Sequence, residues 1–145
     1  MIKMENRIED RKRFLILDGH AIIYRAYHAF PDLTDSTGKL INAVYGFSRI
    51  LLKSINDFQP EYIAVAFDHK NGKSKRVESF EAYKAQRAPM PDDLIAQIPL
   101  IKEVVEAFNL PQFELENFEA DDILGTISRI IAQDNKKKSE ENKIL

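Results

Sequence analysis

The stretch EYIAVAFD, Glu61 to Asp68, decides the fold. Its apolar residues run on without the alternation of a strand that has one wet face, and the run ends in an acid. Continuous apolar strands of this kind suit a parallel sheet covered by helices on both faces. FLILD, Phe14 to Asp18, repeats the arrangement: an apolar run, an aspartate, then Gly19. Working outward, AIIYRAYHAF after Gly19 reads as a helix, and Val44, Phe47, Leu51, Ile55 and Phe58 recur at helical spacing until Pro60 stops them. TDSTGK (Thr34 to Lys39) and Asn71-Gly72 are turn-like. The series Asp92, Leu94, Ile98, Ile101, Val105 and Phe108 predicts one helix kinked at Pro99. After Leu110 and Pro111 comes a short strand, QFEL, and then a last helix with Ile123, Ile127, Ile130 and Ile131 turned inward, ending in the polar DNKKKSEENK. The order is a βα alternation, hence α/β, with no repeat and no second domain. The expected division is a charged lead-in over 1–13, a domain over 14–134 and a polar tail over 135–145. The closing KIL looks like the opening of another strand.

The chain has 145 residues, enough for one domain with a real core, and its 44% hydrophobic and 30% charged content is ordinary for a globular protein. It has no cysteine, which excludes disulfides, thiolate zinc sites and a thiol nucleophile. The apolar runs are too short to cross a bilayer, and MIKMENRIEDRKR is not a secretory signal, so the expected location is the cytoplasm. The net charge of −2 conceals an asymmetry. From His69 to Arg87 six bases face two acids, a balance of +4, whereas Glu103 to Asp122 holds seven acids and no base, a balance of −7. These are either two solvated faces or a phosphate-binding surface beside a cation-binding one.

NFEADDILGTI, Asn117 to Ile127, crowds Glu119, Asp121 and Asp122 where an apolar helical rhythm begins. Acids in a first helical turn interact favourably with the macrodipole by about 0.3–1 kcal/mol each, which alone could account for them. An aspartate after a strand is often a cap or turn residue. Taken together the acids point further. In a parallel sheet the strand C-termini share one edge, where ligands bind. That edge gathers Asp18 and Asp68 with Glu119, Asp121 and Asp122, the last three through a two-residue loop. Glu119 and Asp122 share a helix face and Asp121 points elsewhere. Crowded carboxylates raise one another's pKa at about 1.4 kcal/mol per unit, and a hard dication removes that cost. Oxygen-only ligands select Mg²⁺ or Mn²⁺ over zinc. His20, His28 and His69 lack metal-ligand spacing and read as structural, or at most as neighbours of a substrate.

KSKRVESFEAYKAQR, Lys73 to Arg87, is by default a solvated face, but its interleaved Phe80 and Tyr83 favour nucleic acid. Tyr24 and Arg25 fall in the helix after Asp18 and can reach the same crevice. Carboxylates for a dication beside cations for phosphate equip a protein for phosphodiester chemistry. A glycine-rich phosphate loop and a nucleophile elbow are both absent from the sequence.

LDGHAIIYRAYHAFP, AVYG, YIAVAFD, EAYKAQRAPMPDDLIAQIPLIKEVV and FEADDILGT follow one another in that order. Together they resemble the 5′-nuclease (5′→3′ exonuclease and flap endonuclease) domain found at the N-terminus of bacterial DNA polymerase I. The resemblance runs from about Phe14 to the last helix, and YKAQRAPMPDDL with FEADD at this spacing is highly specific. It implies a PIN-like parallel sheet with flanking helices and a helical arch. It also implies hydrolysis of DNA near a free 5′ end, at a flap or nick, with Mg²⁺ or Mn²⁺ as cofactor. Asp18, Asp68, Glu119, Asp121 and Asp122 match the acidic positions around the metals. Arg25, Lys84 and Arg87 match basic positions at the cut phosphate, Arg76 a basic position entering the arch, and Tyr24 an aromatic position near the substrate. The family continues past KIL into a strand, further acidic motifs and a helix-turn-helix-like module, none of it in this sequence. The expectation is therefore a domain without its C-terminal part. Besides DNA, its expected partner is a complementing C-terminal nuclease fragment or a polymerase, and it would be active with such a fragment or weakly alone. The alternatives are a non-catalytic DNA-binding remnant and a PIN-type ribonuclease, the last disfavoured by the arch motif.

Overall fold

The computed structural model describes residues 12–69 and 89–141, residues 136–141 as backbone only. The element order is β1 (Phe14–Asp18), α1 (Gly19–Ala29), α2 (Asn42–Phe58), β2 (Tyr62–Phe67), α3 (Asp92–Ile95), α4 (Ile98–Ala107), β3 (Gln112–Glu114) and α5 (Ala120–Glu141). The three strands form one parallel sheet in the order β1-β2-β3. Phe14 pairs with Tyr62 and Asp18 with Ala66, so β1 and β2 run out at the same edge. Phe67 pairs with Glu114, which brings the end of β3 there too. The fold is α/β, as the apolar runs predict.

One face of the sheet carries the main core. Leu17, Val65 and Phe67 pack there with Ile23, Ala43, Phe47, Leu51, Leu94, Ile101 and Val105, drawn from α1, α2, α3 and α4. Leu15 and Ile63 join them, in keeping with the two-residue period of a strand. On the opposite face Ala66 packs with Ala120 and Ile123, flanked by Leu124 and Ile127 of α5. Among the described residues no buried side-chain polar atom lacks a partner.

Three expectations change. The helix predicted over 92–108 is two helices, with a turn at Ala96 and Gln97 and Pro99 in the first turn of the second. A proline there needs no amide partner, whereas inside one continuous helix its ring would strike the carbonyl four residues back. Gln97 does further work. Its Oε1 accepts from Ala43 N at 2.9 Å and Val44 N at 3.3 Å, and its Nε2 donates to Asn42 Oδ1 at 3.1 Å. It thereby caps α2, whose own N-cap residue, Ile41, offers no side-chain bond. The second change is on α5, which ends at Glu141 within the polar stretch as expected but leaves Ile130 50% exposed rather than turned inward. The third is the connection from β3 to α5, which takes residues 115–119 rather than two residues. The expected arch, the Asn71-Gly72 turn and the KIL strand start lie outside the described residues.

Candidate active site

The rim formed by the strand ends is assembled from short-range capping chemistry. Asp18 closes β1 and is the N-cap of α1, its Oδ1 accepting from Ala21 N at 2.9 Å. Gly19 follows because nothing larger fits: a Cβ there would lie 2.5 Å from the ring of buried Phe67. Asp68 follows β2, and its Oδ1 accepts from Ala120 N at 2.7 Å, the first residue of α5. Asp122 Oδ2 accepts from Glu119 N at 3.1 Å, a return from the third helical position that resembles a capping box. Two orphan amides at the start of α5 are thus held by carboxylates, one local and one from the residue after β2, 52 positions earlier. Part of the crowding of acids in this stretch is helix-start chemistry.

Exposure sorts the rest. Glu119 is buried, Asp122 half-buried and Asp121 exposed, as the helical spacing predicts. Among the described residues no three carboxylate or imidazole side chains stand close enough to hold a metal ion. The strand ends bring the acids toward one rim, where Asp18, Asp68 and Asp122 each turn an oxygen to a helix amide. Their chemistry still fits a hard dication. A carboxylate that accepts one hydrogen bond keeps further lone pairs, and Mg²⁺ is commonly held by only one or two carboxylates together with waters and substrate phosphate.

Two further residues stand at the rim, His20, which the sequence places only as structural or substrate-adjacent, and Lys102, for which it offers no role. His20 accepts the Asp68 backbone N–H on Nδ1 at 3.0 Å and packs edge-on against Phe67. Burial lowers its pKa below 6.5, opposed by the negative charges of Asp68 and Asp18. Lys102 of α4 is ion-paired with Glu114 and lies 5.3 Å from the Phe67 ring centroid. It is a cation at the rim that the acidic count from Glu103 onward leaves out. Tyr24 and Arg25 are exposed on α1, and Arg25 lies about 9 Å along the helix axis from its start at the rim. Arg76, Lys84 and Arg87 lie outside the described residues.

A sequence model of the 5′-3′ exonuclease N-terminal, resolvase-like domain matches residues 13–141. The chain belongs to this family. Among its relatives, DNA polymerase I of Caldicellulosiruptor bescii is 47% identical over 115 residues, covering 79% of this chain and 13% of that protein. The Bacillus subtilis DNA polymerase I is 40% identical over 126 residues, covering 86% of this chain and 14% of that one. This 5′-3′ exonuclease domain chain therefore spans about one-seventh of the length of those relatives. A bacteriophage T5 protein co-crystallised with metal ions superposes with a TM-score of 0.61 at 20% identity, over 83% of this chain and 45% of that one. The T5 flap endonuclease in complex with DNA and metal ions gives 0.56 at 19% identity, over 84% and 45%. At such identities the likeness is one of fold. Among the described residues no helix is long and apolar enough to cross a membrane.

Proposed function

We propose that this chain is the part of a 5′ nuclease that holds a divalent metal and the phosphate to be cut, acting on DNA near a free 5′ end. The observation that carries this reading is the meeting of acids distant in sequence at one rim. Asp18 ends β1, Asp68 follows β2, and the Asp68 carboxylate bonds to the first amide of α5, drawing Glu119, Asp121 and Asp122 to the same edge. Membership of the 5′-3′ exonuclease family supports it, as does the fold shared with a flap endonuclease.

Asp18 and Asp68 would hold Mg²⁺ or Mn²⁺, with Glu119, Asp121 and Asp122 completing the acidic rim. When bound, such an ion supplies charge neutralisation and polarisation at the scissile phosphate. The protein's own groups do the rest. Arg25, Lys84 and Arg87 would bind the non-bridging oxygens of that phosphate and stabilise charge as it develops. Arg76 would hold a neighbouring phosphate, and Tyr24, 36% exposed, offers a ring for a base to stack on. The hydrogen bonds from helix amides to Asp18, Asp68 and Asp122 would pre-position these carboxylates, so that little reorganisation is left to the moment of reaction.

The test is a labelled 5′-flap duplex with Mg²⁺ or Mn²⁺. Cleavage is expected to be weak with this chain alone, stronger when the remainder of a relative's nuclease domain is supplied in trans, and lost in Asp68→Asn. DNA binding without cleavage in both settings favours the non-catalytic remnant, and preferential cutting of single-stranded RNA favours a PIN-type ribonuclease. Lys84→Ala with Arg87→Ala is expected to flatten the salt dependence of DNA binding. An unchanged slope assigns those residues to a solvated face.

A further inference from the structure

We propose that His20 is the positioning residue of the rim: its neutral imidazole fixes the backbone at Asp68 and so aims the Asp68 carboxylate. The inference rests on the metal-nuclease reading above for the purpose of that aim, and on geometry for the contact itself.

Asp68 is the first residue beyond β2, where the ladder no longer supplies a partner for its amide. That amide donates to His20 Nδ1 at 3.0 Å. An imidazole nitrogen accepts only when it carries no proton, so the proton of the neutral ring sits on Nε2. The ring is well placed to stay put. Its side chain is 15% exposed, and it meets Phe67 edge-on at a centroid distance of 6.0 Å. Phe67 is fully buried, and Gly19 lets the first turn of α1 close down on it. The imidazole is thus braced by the main core while its nitrogen serves the rim.

The second hold on Asp68 comes from the opposite side, where its Oδ1 accepts from Ala120 N at 2.7 Å. Backbone fixed by α1 and one carboxylate oxygen fixed by α5 leave the side chain little freedom. Its Oδ2 lies 4.0 Å from His20 Nδ1, too long for a hydrogen bond, and the Asp68 side chain is 41% exposed. The consequence is a carboxylate with one oxygen tied down on a side chain that remains 41% exposed. Residues that hold a metal-binding side chain from behind commonly set affinity by about 10–100-fold.

The decisive comparison is among His20→Asn, His20→Gln and His20→Ala in the full chain. Asn places its Oδ1 near the position of Nδ1, whereas Gln reaches toward that of Nε2. Two readouts apply: exchange of the Asp68 amide proton in metal-free protein by NMR, and Mn²⁺ affinity by EPR, with Tm recorded alongside. Asn is expected to keep Asp68 amide protection and Mn²⁺ affinity close to wild type. Gln and Ala are expected to lose about tenfold in Mn²⁺ affinity, together with that protection. Asn no better than Gln overturns the proposal, as does amide protection unchanged in all three variants. Loss of protection with unaltered Mn²⁺ affinity overturns it too, by showing a contact without an aiming role. If the wild-type chain takes up no Mn²⁺, the metal-nuclease reading fails and the aiming role with it. The amide readout then shows separately whether His20 holds the Asp68 backbone.

Discussion

The two faces of the sheet are built differently. On the side of α1, α2, α3 and α4, large side chains interlock with no exposure at all: Phe47, Leu51, Val65, Phe67, Leu94, Ile101 and Val105. On the side of α5 the buried contacts are Ala66, Ala120 and Ile123. Apolar burial contributes roughly 25 cal/mol per Å², so the first face carries most of the hydrophobic stabilisation. The second has a different use for its small residues. Ala66 and Ala120 let α5 begin close against the end of β2, which is what allows the Asp68 carboxylate to reach Ala120 N. The difference teaches a division of labour: one face makes the fold and braces His20 and Lys102 from behind, and the other brings the acids of α5 to the rim.

The largest expected effect tests that asymmetry directly. Phe47→Ala empties the centre of the thick face and is expected to cost about 3–5 kcal/mol in urea unfolding, enough to leave a small domain marginal. Ile123→Ala on the thin face is expected to cost about 2 kcal/mol, the lower end of the range for such truncations. Equal losses from the two would dissolve the distinction between the faces. Next in size is Gly19→Ala, where the added Cβ meets Phe67 ring atoms at 2.5 and 2.6 Å. The expected loss is about 1–3 kcal/mol, the usual range for overpacking. Gln97→Leu belongs in the same range, about 1–3 kcal/mol, because it leaves the Ala43 amide buried at the start of α2 without its acceptor. Both are read from denaturant midpoints at constant m-value.

The thick face was legible in sequence and the details of the rim were not, for physical reasons. FLILD and YIAVAF announce buried parallel strands by composition alone, and α2 announces itself by period. The division between α3 and α4 was hidden because Leu94, Ile98, Ile101 and Val105 keep one apolar rhythm across it. What breaks the helix is Pro99 together with the recruitment of Gln97 to a helix start 54 residues earlier. On α5 the inward face is narrower than the isoleucine spacing suggests, since Ile123 is buried and Ile130 is half exposed. At the rim, the acids at strand ends could be placed from the run-then-acid pattern. His20 could not, since its role depends on an amide 48 residues away. Lys102 likewise takes its meaning only from Glu114 and Phe67, on two other elements.

A smaller effect lies in the exposed turn between α1 and α2. Asp35 Oδ1 accepts from the Thr37 hydroxyl at 2.7 Å, Thr37 N at 2.8 Å and Lys39 N at 3.0 Å. These bonds, the Thr37 hydroxyl foremost, hold its pKa below 3.8. A carboxyl whose folded pKa is depressed stabilises the fold above its unfolded value and loses that contribution as pH falls through the folded one. The acid limb of the stability curve below 3.8 is therefore expected to flatten slightly in Asp35→Asn. A limb that steepens instead would show that the turn contributes nothing and the slope arises elsewhere.

The smallest expected change in stability belongs to Asp68→Asn, and it sharpens the comparison most. An asparagine Oδ1 can accept from Ala120 N as the aspartate does, and Asn and Asp are nearly equal as helix caps. The backbone bond to His20 is untouched, since it uses the residue 68 amide rather than the side chain. Stability should therefore stay within about 1 kcal/mol of wild type, the scale of a single cap. What goes is the negative charge, and with it Mn²⁺ affinity should fall by more than the about tenfold assigned to His20 as a supporting residue. Urea unfolding and Mn²⁺ titration on the same preparation separate the two. If Asp68→Asn instead unfolds the chain as readily as Phe47→Ala, the rim is a structural element of the fold and the division between the faces is lost. If stability and Mn²⁺ affinity both survive, Asp68 is only a cap for α5, and the metal must be sought through Asp18 and Asp121.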